Sequence, residues 1–343
     1  MPKHIAVMPC DGAGKEVVPE AIKVLRAARA DLEFEEFDVN ADSYLRTRVA
    51  IPDDVWSQLE KADAILFGSV GDPRVPDAEY LAGVLLRLRF ELDLYVNLRP
   101  AKLYDDRLSP LRREDRRAVN LLVVRENTEG LYVGMGGRFK KGTDHEVAIQ
   151  EDLNTYTGVT RILEYAFQVA QREVVMVDKS NAMTHAGALW QARWRAVAAR
   201  HPQVKTRHLF VDAAAMQLVK DPSQFEVIVT GNLFGDILSD LTAELIGGMG
   251  IAPSANINPQ TKRGLFEPVH GTAPDIAGRG LVNPIGAILS ASMMVRHLGY
   301  EEMAEAIERA VESAIRAGET TRDLGGDLST SECGNAVARR LKD

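Results

Sequence analysis

Short apolar runs that alternate with longer helical patterns constrain this chain more than any other feature. From the N-terminus, IAVMP, KEVVPEAIKVLRAARA, LEFEEFDV, PDDVWSQLEKA and DAILFGSVG follow one another. The first, third and fifth are short and strand-like, whereas the second and fourth carry apolar residues at helical spacing. That rhythm predicts an α/β fold with parallel strands. NLLVVREN, EVVMVDKS and FEVIVTGN repeat the strand pattern later, each ending in polar side chains. In α/β sheets functional groups gather at such strand ends. At 343 residues the chain exceeds one ordinary core, so two domains or one large α/β unit are expected.

Charge narrows the partners. With 41 basic against 49 acidic residues and a net charge of -8, neither nucleic acid nor an anionic membrane is expected as the main partner. Cys10 and Cys333 are the only cysteines, and MPKHIAVMPCDG lacks a signal-peptide core. A cytoplasmic chain without disulfides is therefore expected. No apolar run approaches the roughly 20 residues that span a bilayer.

The turn Asp11-Gly12-Ala13-Gly14 lies between a strand and a helix, as a dinucleotide fingerprint would, but Val17 stands where the third glycine belongs. An ordinary tight turn and a ligand contact are about equally expected; a true Rossmann motif is not. In NLFGDILSDLTAELIGGMG, Asp236, Asp240 and Glu244 share one helical face, and Ile237, Leu238, Leu241 and Leu245 mark the core side. No lysine or arginine along that helix relieves the carboxylates, which reads either as a solvated face or as a hard-cation site. Arg89 and Arg99 in LRLRFELDLYVNLRP, with Arg125 in VVREN, could clamp a dicarboxylate or form ordinary salt bridges. Tyr132 and Lys179 are plausible proton-transfer partners once their pKa values are lowered. Trp190 and Trp194 read as packing, and LRREDRRAV as a solvated face.

Together DGAGKEVVPE, YVNLRP, VVRENTEGLYVG, DKSN, NLFGDILSDL, GIAPSANI and FEPVHGTAPDIAGRGLVNP resemble the β-decarboxylating dehydrogenase family. Its members act on isopropylmalate, isocitrate, homoisocitrate and tartrate or D-malate, and the likeness runs nearly end to end. The resemblance implies the two-domain isopropylmalate/isocitrate dehydrogenase-like fold rather than a Rossmann fold. One domain would comprise residues 1–95 plus 247–343, on the cofactor side. The other, 96–246, would carry a dimer interface and an intersubunit arm at about 132–152. By likeness, Arg89, Arg99 and Arg125 hold the substrate carboxylates, Tyr132 and Lys179 are catalytic, and Asp212, Asp236 and Asp240 bind Mg²⁺ or Mn²⁺. Lys179 and Asp212 match residues that the partner subunit contributes, so a homodimer with shared active sites is implied.

NAD is the implied cofactor, with contacts at Asn181, Glu267, His270, Gly271, Ala273, Asp275, Ile276 and Asn283. A carboxylate at Asp275 suits ribose hydroxyls and would repel a 2′-phosphate. Val84, Leu85 and Leu86 form an apolar strip, with Leu85 and Leu86 as substrate contacts, which suits an isopropyl group and would leave a distal carboxylate unpaired. The expected reaction is oxidative decarboxylation of 3-isopropylmalate. Tartrate or D-malate stays open because MGGR and IAPSANINP resemble enzymes for those acids, and homoisocitrate stays open through Arg74. A non-catalytic regulatory subunit is the alternative of a different class.

Overall fold

The computed structural model describes residues 2–76 and 78–342. Ten strands build one sheet: β1 (Lys3–Cys10), β2 (Leu32–Glu36), β3 (Ala64–Ser69), β4 (Val96–Lys102), β5 (Asn120–Glu126), β8 (Glu173–Asp178), β9 (Lys205–Phe210), β10 (Val227–Thr230), β11 (Pro253–Asn258) and β12 (Arg263–Pro268). A separate antiparallel hairpin pairs β6 (Gly136–Phe139) with β7 (Val147–Gln150). In the large sheet the order is β2-β1-β3-β12-β11-β4-β5-β10-β8-β9.

The outer strands are parallel, as the alternating pattern predicts, but the centre is not. β12 with β11, β11 with β4, and β4 with β5 all pair antiparallel. An antiparallel neighbour needs no helical crossover, and these are the strands where the chain passes from one half of the sheet to the other. Strands drawn from 1–95 and 247–343 occupy one half in space, and those from 96–246 the other.

Both faces of the first half are covered, which explains its unbroken apolar strands. Ile5 and Val7 of β1 face the main core, whereas Ala6 and Met8 face a smaller one. That smaller core also takes Tyr80, Val84, Leu88 and Leu92, a strict spacing of four, all nearly inaccessible. A regular α-helix would rotate such a row by about 40° per step. The chain responds by widening into a π-type turn over Ala82–Leu86, between the helical pieces Ala78–Leu81 and Arg87–Glu91. Among the described residues no helix is long and apolar enough to cross a membrane.

Candidate active site

Arg99, midway along β4, and Arg125, near the C-terminal end of the antiparallel β5, both reach the helix Asn232–Leu245. Arg125 is fully buried; its Nε and Nη2 donate to Asn232 Oδ1 at 3.0 and 2.8 Å, and its Nη1 to Asp236. Burial and the neighbouring Arg99 and Arg89 bring its guanidinium down to about 10. Gly235 is glycine for a packing reason: a Cβ there would strike the Arg125 side chain at 2.6 Å. The Tyr132 hydroxyl donates to Asp236 Oδ2 at 2.8 Å. Burial would push the Asp236 carboxyl up, but Arg125, Tyr132 and Arg99 bring it below the ordinary range.

Asp240 fares differently. Burial raises its carboxyl, and its cationic neighbour Arg99 stands 3.8 Å away. The relief that the helix sequence lacks thus comes from other elements. The Tyr132 phenol is pushed up, not down as the sequence suggests, because burial and the Asp236 carboxylate both disfavour phenolate. A group so held keeps its proton and suits an acid better than a base. Glu244 is exposed, and Ile237, expected on the core side, is 56% exposed.

A second group lies two strands away, at β8 and β9. Lys179 Nζ pairs with Asp212 Oδ1 at 2.8 Å, holding the Asp212 carboxyl low. Asp212 does not join Asp236 and Asp240: among the described residues no three acidic, histidine or cysteine side chains could hold a metal together. Two hard oxygen donors stand on one helix, and a third would have to arrive from outside the chain.

The loop after β12 holds the remaining positions. His270 Nε2 is buried with no partner, and Ala273, directly before Pro274, has a left-handed φ of 41°. An unpaired buried nitrogen beside a strained backbone suits a ligand-binding loop. Gly271 and Asp275 are exposed, and Ile276 packs on the main core. Asn181 is exposed at the end of β8, whereas Asn283 is buried and spent on the fold, donating to Asp323 and accepting from the Ile285 amide.

The Asp11–Gly14 turn has a structural task. Asp11 accepts from the Ala41 and Gly71 amides and the Tyr80 hydroxyl. Gly12, at φ 49°, lies so close to the Thr272 carbonyl that a Cβ would overlap it, and the Ala13 amide donates to that carbonyl at 2.8 Å. The glycine therefore admits a second loop. Cys10 also has a left-handed φ, 57°, in a position that favours glycine.

The model of the isocitrate/isopropylmalate dehydrogenase family matches residues 4–337. This chain belongs to that family. It is 46% identical to a 3-isopropylmalate dehydrogenase of Thermobifida fusca, over 99% of this chain and 98% of that one. It is 45% identical to the enzyme of the same name from Rhodococcus erythropolis, over 98% and 99%. Its structure is similar to that of isocitrate dehydrogenase from Methylococcus capsulatus, with a TM-score of 0.91, 34% identity and coverage of 99% and 100%. The TT0538 protein of Thermus thermophilus gives a TM-score of 0.90 at 38% identity, covering all of this chain and 68% of that one. Full-length relatives at 45–46% identity are named as dehydrogenases, so the chain is an enzyme and not the regulatory subunit of the alternative reading.

Within this family member Arg89 is not a free clamp. Its Nη2 donates to Glu267 at 2.9 Å, while its Nε is buried without a partner. Val84 belongs to the small core rather than to an apolar wall; Leu85 packs on that core, and Leu86 is half-buried beside it. Arg74 is held by Asp72 and Asp42 at 2.7 and 2.9 Å, so it has no charge to spare for a distal carboxylate. Sequence reasoning missed Asn97, Asn127, Asn232 and Asn256, all nearly inaccessible. Their signal was a polar residue inside an apolar run, as in YVNLRP and SANIN.

Proposed function

We propose that this chain oxidises and decarboxylates 3-isopropylmalate to 4-methyl-2-oxopentanoate, with NAD and Mg²⁺ or Mn²⁺, as a step of leucine biosynthesis. The observation that carries the reading is the convergence of Arg99, Arg125, Tyr132, Asp236 and Asp240 around the helix Asn232–Leu245, in a chain whose full-length relatives bear that substrate's name. When bound, the cofactor would supply a hydride acceptor and the cation a positive charge.

The chain's own groups do the rest. Arg89, Arg99 and Arg125 bind the carboxylates and fix the C2 hydroxyl. Lys179 takes the hydroxyl proton as hydride leaves C2, and the β-carboxylate departs as CO₂. Tyr132, which keeps its proton, then delivers it to carbon. Leu85 and Leu86 face the isopropyl group, whose burial is worth roughly 2 kcal/mol. Asp236 and Asp240 fit a hard cation, and the unpaired His270 Nε2 fits a nucleotide.

We read the molecule as two domains, 1–95 with 247–343 and 96–246, and as a homodimer that brings Lys179 and Asp212 to the partner's arginines. Two features support the dimer. Met216, Val219 and Ile237 expose apolar surface on neighbouring helices, and the β6–β7 hairpin carries exposed Phe139, Val147 and Ile149. NADH formation with isopropylmalate, D-malate, tartrate, isocitrate and homoisocitrate, each with Mg²⁺ and with EDTA, tests the reading. Isopropylmalate should give the highest kcat/KM and EDTA should abolish it; a higher value for any other acid overturns the substrate.

A further inference from the structure

Under the arginines lies a buried polar chain that crosses the four central strands. Glu267 on β12 accepts from Arg89 Nη2 at 2.9 Å and from Asn256 Nδ2, on β11, at 2.8 Å. Asn256 Oδ1 accepts from Asn97 Nδ2, on β4, and from Asn127 Nδ2, just after β5, both at 3.0 Å. Asn97 Oδ1 in turn accepts from Arg99 Nε at 3.0 Å. Asn97 and Asn256 are register partners across the β4–β11 seam, and both are fully buried.

The direction of every bond is dictated from the two ends. A carboxylate only accepts, so Glu267 demands the amino side of Asn256; a guanidinium only donates, so Arg99 demands the carbonyl side of Asn97. The amides between them can satisfy both ends in a single orientation. Such a chain polarises along its length, and turning one amide leaves buried donors facing each other. Two buried atoms at its edges have no partner, Arg89 Nε and Asn127 Oδ1.

We propose that Asn256 is a positioning residue that couples the substrate and cofactor halves of the site, through Glu267 on one side and Asn97 and Arg99 on the other. The proposal rests on the reading above, in which Arg89 and Arg99 hold carboxylates and Glu267 lies on the cofactor side. A substrate carboxylate on Arg89 and Arg99 draws on both ends of the chain at once: it reaches Glu267 directly from Arg89, and from Arg99 through Asn97 and Asn256. Each ligand then binds better in the presence of the other.

NADH with 3-isopropylmalate is a pair that cannot react, so coupling can be read as binding. The NADH dissociation constant is measured by fluorescence with Mg²⁺, with and without 3-isopropylmalate, for wild type, Asn256→Ser and the isosteric Asn256→Asp. Thermal melts identify the folded variants, and the Asp variant tests the same link should the Ser variant not fold. In wild type 3-isopropylmalate should tighten NADH by about fivefold or more. In a folded variant that factor should fall by at least about half, the direct Arg89–Glu267 link carrying the rest, while NADH alone binds within about threefold of wild type. Undiminished coupling in a folded variant overturns the role of Asn256 alone. A wild type that binds neither ligand overturns the functional reading and the coupling with it.

Discussion

The two ends of the 96–246 segment are built in opposite ways. Around Arg125 everything is assembled within the chain: the guanidinium is 1% exposed, three of its nitrogens are engaged, and a glycine is cleared to seat it. Around Lys179 the partner is Asp212, whose side chain is 63% exposed on the first turn of the helix Val211–Lys220. An enclosed ion pair fixes geometry, whereas an exposed one holds its groups weakly and lets them exchange partners. The first end is assembled within the chain, and under the proposed dimer the second would serve the partner's site.

The sharpest way to break that contrast is to mix variants. Lys179→Ala and Asp236→Asn should each lose about 10³-fold in kcat. Co-refolded in equal amounts, they should recover about a quarter of wild-type activity, because half of the dimers are mixed and each carries one intact site. No recovery would mean that both ends serve the same chain. Arg125→Lys keeps the charge but loses the two-pronged hold on Asn232, and should lower kcat/KM by about 10²-fold. A steady-state assay that finds less than a fivefold change would remove the claim that this end is preorganised.

Leu86→Ala should lower kcat/KM for isopropylmalate by about tenfold and leave D-malate nearly unchanged. Leu85→Ala should add a lower melting temperature, because Leu85 also packs on the small core. An equal loss on both acids would remove the strip from substrate selection.

The smallest effect concerns pH. Glu126 follows Arg125 on β5; burial pushes its carboxyl up from 4.5 to about 7, although the Thr128 and Glu129 amides pull the other way. Between these values the folded protein holds a proton that the unfolded chain has released. Stability should therefore fall as pH rises from 4.5 to about 7 and level off above. Urea midpoints at several pH values should show that slope in wild type and a flatter one in Glu126→Gln; equal slopes would refute it.

Legibility in the sequence followed burial and spacing. The acid face of the helix Asn232–Leu245 was readable because i, i+4 spacing is a property of the helix alone. That its carboxylates meet Arg125 and Arg99 was not, since those arginines come from strands more than a hundred residues away. Ile237 looked like core for the same local reason, and only the packing left it outside. The glycines of the first turn did not reveal that Thr272 approaches them from a distant loop. The buried asparagines gave almost no signal, since one polar residue in an apolar strand does not say what it faces.

By itself the sequence determined the α/β alternation, the family and the residue types that do the chemistry, because those follow from periodicity and from motifs continuous in the chain. Only the tertiary structure decided the antiparallel seam through the centre of the sheet and the capture of Arg89 by Glu267. Each of these depends on which strands become neighbours. Strand order is set by how the whole core closes, and no local pattern carries it.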